Sequence, residues 1–179
     1  MDLMDGILTR RSTRKFTGES LAKGQLETLI RAGMYAPSAH NLRPWRFVTV
    51  EDRAMMMELR PLCRWWQMLD KAAVTIAVSS DPAGREEMAA EFETNDCSAA
   101  IQNILLAAHA LGLGAVWLGL TEESSQAGAV KQLLGIPDGF HIKGLIAVGC
   151  PEEAVSADVE AQPKRFEAEK WRRERWEQA

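Results

Sequence analysis

Four short stretches of this chain hold the residues best suited to chemistry. The first is Arg10-Arg11-Ser12-Thr13-Arg14-Lys15-Phe16. A guanidinium presents a planar fork of donors that matches phosphate oxygens, and neighbouring hydroxyls add neutral hydrogen bonds. In an extended backbone Arg10, Ser12 and Arg14 point to one side, and Arg11 and Thr13 to the other. Two guanidiniums and a hydroxyl would then meet a single anion. Taken alone, a short basic run is more often a solvated loop. The second stretch, Ala36-Pro37-Ser38-Ala39-His40-Asn41-Leu42-Arg43-Pro44-Trp45, is stiffened by two prolines. Its Ser38, His40, Asn41 and Arg43 could address the edge of a heterocycle, since Asn41 offers both donor and acceptor. An ordinary connecting loop accounts for the same residues equally well.

The third stretch is Gly112-Leu113-Gly114-Ala115-Val116-Trp117-Leu118-Gly119. It fails as a dinucleotide fingerprint because Trp117 stands at the third glycine position. The order is also helix, glycine, strand rather than strand, glycine, helix. Its end, Trp117-Leu118-Gly119, could set backbone groups against a flat ring. The fourth stretch, Pro163-Lys164-Arg165, either completes an anion site begun by Arg10 and Arg14 or belongs to a charged tail beside Glu167 and Glu169. There is no G-x-S-x-G elbow, H-E-x-x-H helix or phosphate-binding P-loop. Glu91, Glu93 and Asp96 share one helix, and an acidic helix face is read as solvated surface.

Periodic elements must position these stretches. Leu3, Met4, Ile7 and Leu8 predict a short helix ending near Thr9. A second helix is expected from Leu21 to Tyr35, and a strand from Trp45 to Val50. Met55 to Leu59 reads as helix, and Ala72 to Ser79 as a buried strand. The longest helical signal runs from about Glu86 to Leu111, with an apolar face of Ile101, Ile104, Leu105, Ala108 and Leu111 in its second half and Gly112 placed to end it. Ala115 to Leu120 is the next strand. Ser124 to Leu134 is a helix stopped by Gly135, and His141 to Gly149 is the last strand. The order is α-α-β-α-β-α-β-α-β followed by an arm, which predicts an α+β or α/β sandwich. The tail from Phe166 has helical propensity and carries Trp171 and Trp176 among many charges. Such aromatics suit a partner surface, most simply a second copy of the chain; the alternative is a helix folded back on its own subunit.

Composition limits the rest. With 179 residues and 46% hydrophobic content, one domain with a sizeable core is expected. A net charge of -4 gives no overall pull towards nucleic acid or anionic membrane, so any anion site must be local. Cys63, Cys97 and Cys150 form no metal-ligand spacing and read as reduced thiols. Met1 to Asp5 is acidic and lacks a signal peptide's apolar core, and no apolar run reaches the ~18 residues of a membrane span. A cytoplasmic protein without bound metal is expected.

Four segments, in order and spacing, resemble the nitroreductase family of flavin-dependent oxidoreductases. The R-R-S-x-R-x-[FY] segment is Arg10 to Phe16, and the A-P-S-x-x-N-x-Q-P-W loop is Ala36 to Trp45. The long helix ending Q-N-L-x-L-A-A-x-x-L-G-L-G is matched from Gln102-Asn103-Ile104 through Gly114. The G-x-P after the last strand is Gly149-Cys150-Pro151. The resemblance covers about residues 3–171. It implies an α+β sandwich with a mixed central sheet flanked by helices, built as an intertwined homodimer. It implies flavin mononucleotide (FMN) at the subunit interface and NADH or NADPH as electron donor. Hydride would pass through the flavin to a small flat acceptor (nitro, quinone or enone) by a ping-pong mechanism.

The cofactor residues implied are Arg10, Arg11, Ser12 and Arg14 at the phosphate, rejoined by Lys164 and Arg165. Pro37, Ser38, His40 and Asn41 would reach the flavin from the other subunit, with Trp117, Leu118 and Gly119 over the ring. Residues 1–165 would form the FMN-binding domain and 166–179 an arm on the partner. No residue is singled out as acid or base. Arg43 departs from the glutamine the family often has, Cys150 departs from an aromatic or aliphatic residue, and the region that shapes the substrate cavity is short. The rivals are a flavin- or small-ligand-binding protein without turnover, a different flavin reaction such as dehalogenation or dehydrogenation, and a nucleic-acid binder using Arg10 to Lys15. The acidic total argues against the last.

Overall fold

A computed structural model describes residues 1–81, 86–156 and 158–175 of the chain. Trp176, one of the tail aromatics, lies outside them. The elements are α1 (Leu3–Thr9), α2 (Gln25–Met34), β1 (Trp45–Val50), α3 (Arg53–Leu59), β2 (Val74–Ser80), α4 (Glu86–Ala110), β3 (Gly114–Leu118), α5 (Ala127–Leu134) and β4 (His141–Gly149). Their order is the expected one, and α1, β1 and β4 have the expected bounds.

The four strands form one sheet in the order β1-β2-β4-β3, and every pairing is antiparallel. Among the described residues parallel character enters at an isolated bridge between Ser12 and Ala115, at the sheet's edge. β2 is buried along its whole length, which is why its sequence is a continuous run of small and β-branched residues. Val74, Ile76 and Val78 pack with Leu29 of α2 and with Ile101 and Ile104 of α4. On the other face Leu145 and Ala147 pack with Met56 and Leu59 of α3 and Val130 of α5. The sheet is thus sandwiched between two helical layers, each closing its own apolar cluster.

Local chemistry trims several elements. The Asp2 side chain accepts from the Met4 amide at 2.9 Å and Asp52 from that of Met55 at 2.8 Å, fixing the starts of α1 and α3. α2 begins at Gln25 rather than Leu21 because Gly24 turns left-handed at φ 84° and Gln25 Oε1 accepts from the Ala22 amide at 2.7 Å. α5 begins at Ala127 rather than Ser124 because the Ser124 hydroxyl donates to the Thr121 carbonyl at 2.6 Å and closes a separate turn. α4 ends as expected: Gly112 has φ 73° and the Leu113 amide returns to the Ala108 carbonyl at 2.9 Å.

The tail differs from its expectation. Among the described residues its only regular piece is a short 3-10 turn over Ala168–Lys170. Phe166 and Trp171 are 75% and 59% exposed and meet each other edge to face at 6.4 Å. Without a buried apolar face, helical propensity does not suffice to fold so short a segment. No helix among the described residues is long and apolar enough to cross a membrane.

The segment between α1 and α2 is extended and rides on the sheet. The Thr13 amide donates to the Ala115 carbonyl and the Thr17 amide to that of Cys150, each at 2.9 Å. Phe16 is buried at the sheet rim, above Gly114 and Gly149. A methyl group at Gly114 would lie 2.9 Å from Thr13 Cβ and 3.1 Å from Phe16 Cε1. Gly114→Ala should therefore destabilise the protein by about 1–3 kcal/mol, the scale of core overpacking. A denaturant midpoint equal to wild type would show that the segment yields without cost.

Candidate active site

Arg11, Ser12, Thr13 and Arg14 line a cleft of about 310 Å³, with Lys15 beside them and Glu153 to Val155 across it. The expected alternation is modified by packing. Thr13 is drawn against Gly114, while Arg11, Ser12 and Arg14 stay exposed. Arg10 is half-buried and separate from this cleft. Burial, then the nearby Arg165 guanidinium, push its pKa below the ordinary arginine value. Lys164 and Arg165 lie in a groove with Ile7 and Leu8 of α1. The structure thus brings the late basic pair to the start of the early run. Among the described residues no carboxylate forms an ion pair with Arg10, Arg11, Arg14 or Arg165. Crowded cations without counter-ions are the setting that an anion relieves.

The start of the run is pinned from below. Thr9 and His109 are both buried, and Thr9 Oγ1 lies 2.7 Å from His109 Nε2. The Thr9 hydroxyl already donates to the Asp5 carbonyl at 2.6 Å, so its oxygen accepts from a protonated Nε2. Burial, then Arg10 and Arg11, lower the His109 pKa and favour the neutral ring. The end of α4 is thereby tied to the turn from which the arginines emerge.

Trp117, Leu118 and Gly119 lie further along the strand that carries Ala115. At ~3.3 Å per residue Gly119 is about 13 Å beyond Ala115. The Leu118 side chain is buried in the core, so only its backbone is available to a ligand. Trp117 is 37% exposed and lies over Gly144, where a methyl group would collide with its indole nitrogen.

Pro37, Ser38, His40 and Asn41 are not among the residues lining the arginine cleft of the same chain. Their loop forms a 3-10 turn over Ala39–Asn41. His40, Asn41 and Arg43 all have left-handed backbone, with φ of 50°, 55° and 50°. Such conformations cost roughly 1–2 kcal/mol for residues other than glycine and, less often, asparagine. Side-chain bonds to backbone amides help hold the loop against that cost. Ser38 Oγ accepts from the Arg43 amide and Asp96 Oδ1 from the Ala39 amide, both at 3.0 Å.

Asp96 and Glu93 correct the reading of an acidic helix as solvated: both are buried, at 6% and 5% exposure, while Glu91 is exposed. Glu93 accepts from Lys143 Nζ at 2.5 Å, Ser80 Oγ at 2.6 Å and His141 Nδ1 at 2.9 Å. A shift in register leaves Lys143 without a partner on β2, since Val78 pairs with Gly144 and Ser79 with Ile142. That bulge re-aims the lysine onto the α4 side of the sheet. Burial raises the Glu93 pKa, but its three donors outweigh this and hold it below the usual carboxylate value. Burial pushes the neighbouring Cys97 thiol up to about 12, so it is no nucleophile. Among the described residues no group of three His, Cys, Asp or Glu is placed to hold a metal. The missed signal was spacing, since Glu93 falls on the stripe of Cys97, Ala100, Ile101 and Ile104 that faces the sheet.

Comparisons with known proteins agree with this fold. The profile of the nitroreductase family matches residues 7–67 and 57–150. An Archaeoglobus fulgidus protein provisionally named an NADH dehydrogenase/NAD(P)H nitroreductase is 37% identical over 168 residues, covering 92% of this chain and 96% of its own. A crystal structure of a protein with the same provisional name from Parabacteroides distasonis superposes with a TM-score of 0.84 at 32% identity, over 97% of this chain and 98% of that one. A provisionally named nitroreductase from Desulfovibrio desulfuricans, solved in complex with FMN, gives 0.81 at 33% identity over 99% of both chains.

The buried ion pair makes a prediction of its own. Glu93→Gln leaves the partly buried Lys143 without a counter-charge and should cost about 2–4 kcal/mol at pH 7, somewhat below the cost of breaking a fully buried pair. Because the folded carboxyl pKa is depressed, its contribution is present above the unfolded value of about 4.3 and is lost as pH falls through the folded one. Urea melts from pH 7 to pH 3 should show this acid loss in wild type and its removal in the variant; parallel curves would rule it out.

Proposed function

The chain belongs to the nitroreductase family, and from that premise we propose that it is an FMN-dependent oxidoreductase drawing electrons from NADH or NADPH. The observation that carries this is the set of unpaired guanidiniums of Arg10, Arg11, Arg14 and Arg165, gathered at the strand that leads to Trp117 and Gly119. The fit is chemical. A phosphate needs several cationic donors and a hydroxyl, which Arg11, Ser12 and Arg14 line one cleft to offer. Arg10, Lys164 and Arg165 complete the positive field.

Bound FMN would supply two-electron transfer from the nicotinamide to the acceptor. The chain's own residues bind and orient. The backbone of Trp117, Leu118 and Gly119 faces the ring, and Trp117 limits what can stack there. Pro37, Ser38, His40 and Asn41 approach the ring edge from the second subunit of a homodimer. That assignment explains why a strained and well-braced loop lies apart from the cleft of its own chain. Its acceptors are small flat nitro, quinone or enone compounds reduced by a ping-pong cycle, since donor and acceptor would use one face in turn. No side chain is needed as acid or base. The arm from Phe166 onward packs on the partner, which would cover the exposed Phe166 and Trp171.

Two measurements test this. The purified protein should take up FMN on titration, quenching its fluorescence, and Arg14→Ala should weaken binding by about 1.5–3 kcal/mol, the value of a charge-assisted hydrogen bond. No uptake by wild type would sink the reading, and unchanged affinity would show Arg14 facing solvent. Light scattering at micromolar concentration should give a dimer, and a monomer would remove the partner's loop and arm from the account.

A further inference from the structure

The loop from Pro37 to Pro44 presents a pair of exposed side chains bonded to each other. Arg43 Nε donates to Asn41 Oδ1 at 2.8 Å, and both residues are exposed. Among the described residues Arg43 has no carboxylate partner. The left-handed backbone at Asn41 and Arg43 turns the guanidinium back onto the amide, and the Arg43 amide is itself held by Ser38 Oγ at 3.0 Å. The bond settles which way the Asn41 amide faces, because a guanidinium only donates and so must meet the oxygen. Asn41 is left with its two N–H donors outward, beside a fixed positive charge.

An amide whose oxygen is engaged by a cation turns its N–H donors to an acceptor and favours one that becomes more negative. The pyrimidine edge of a flavin presents carbonyl acceptors, and two-electron reduction increases their negative charge. We propose that Arg43 is a positioning residue that orients Asn41 as a donor to that edge and, through its charge, makes two-electron reduction of the bound flavin more favourable. The inference rests on the reading that this loop reaches FMN. It goes beyond that reading by naming the residue that sets the potential and the direction in which it acts.

The test is the midpoint potential of FMN in the loaded dimer, measured by spectroelectrochemistry, with far-UV circular dichroism to confirm folding. Arg43→Gln should make reduction at least tenfold less favourable, about 30 mV more negative for a two-electron couple. Arg43→Lys keeps a charge but not the planar fork, and should shift the potential the same way by at least threefold. Lys23→Gln, which removes an exposed charge elsewhere, should leave the potential in place. If Arg43→Gln fails to retain flavin, the Arg43→Lys potential decides. Unchanged potentials in the Arg43 variants, or an equal shift in Lys23→Gln, overturn the proposal while flavin binding stands. Wild type that takes up no FMN overturns the parent reading and this one with it.

Discussion

Three arginines within five residues repel one another, and nothing in their own chemistry fixes their backbone. The basic segment is ordered by an apolar anchor. Phe16 is buried at the sheet rim, and Gly114 and Gly149 leave the space it fills. Two backbone hydrogen bonds, from Thr13 to Ala115 and from Thr17 to Cys150, then hold the segment along the edge of β3 and at the end of β4. Burial of one aromatic side chain contributes on the order of 2–3 kcal/mol, enough to offset several weak repulsions between exposed cations. The cluster at the cleft is thus a consequence of packing next door. The same anchoring sets the direction of the site, since the strand under Thr13 is the one that leads to Trp117 and Gly119.

The other half of the candidate site depends on buried charge. A carboxylate removed from water is costly unless its lone pairs are filled. Glu93 meets that condition with Lys143, Ser80 and His141, which come from β4, the end of β2 and the start of β4. The bulge at Lys143 costs a place in the ladder and puts the ammonium on Glu93. Three residues on, Asp96 spends its carboxylate on the Ala39 amide and braces a loop whose backbone is strained. One helix therefore fastens the sheet end with one acid and the strained loop with the next. Disturbing α4 would move both.

Much of this was legible in the sequence, for identifiable reasons. The order of these helices and strands followed from period and length, because β2 is a continuous apolar run and α4 is long, with an apolar face in its second half. Boundaries slipped where a local hydrogen bond outbid the pattern, as at Gly24 and Ser124. The tail misled because helical propensity without an apolar face does not hold a helix. Glu93 and Asp96 were illegible as single residues, since an acid on a helix is ordinarily solvated. Only their place on the sheet-facing stripe of α4 distinguished them. The bond between Arg43 and Asn41 was beyond reach, because it depends on left-handed backbone at residues that rarely adopt it.

The surfaces left open by one chain lie next to its charges. Leu3, Met4, Ile7 and Leu8 of α1 are about half exposed or more, and the groove beside Ile7 and Leu8 ends at Lys164, Arg165 and Phe166. An apolar surface of this kind is stabilised by about 25 cal/mol for each Å² it hides from water, so a second copy seated there would gain from covering it. Arg10 and Arg165 resist that burial, because desolvating two like charges without a counter-ion is unfavourable. An anion held in the neighbouring cleft of Arg11, Ser12 and Arg14 would lessen that cost. Association and cofactor binding would then strengthen each other by linkage, since a ligand that binds the assembled form alone stabilises that form. On this view the like charges at the end of α1 would couple any self-association to anion binding.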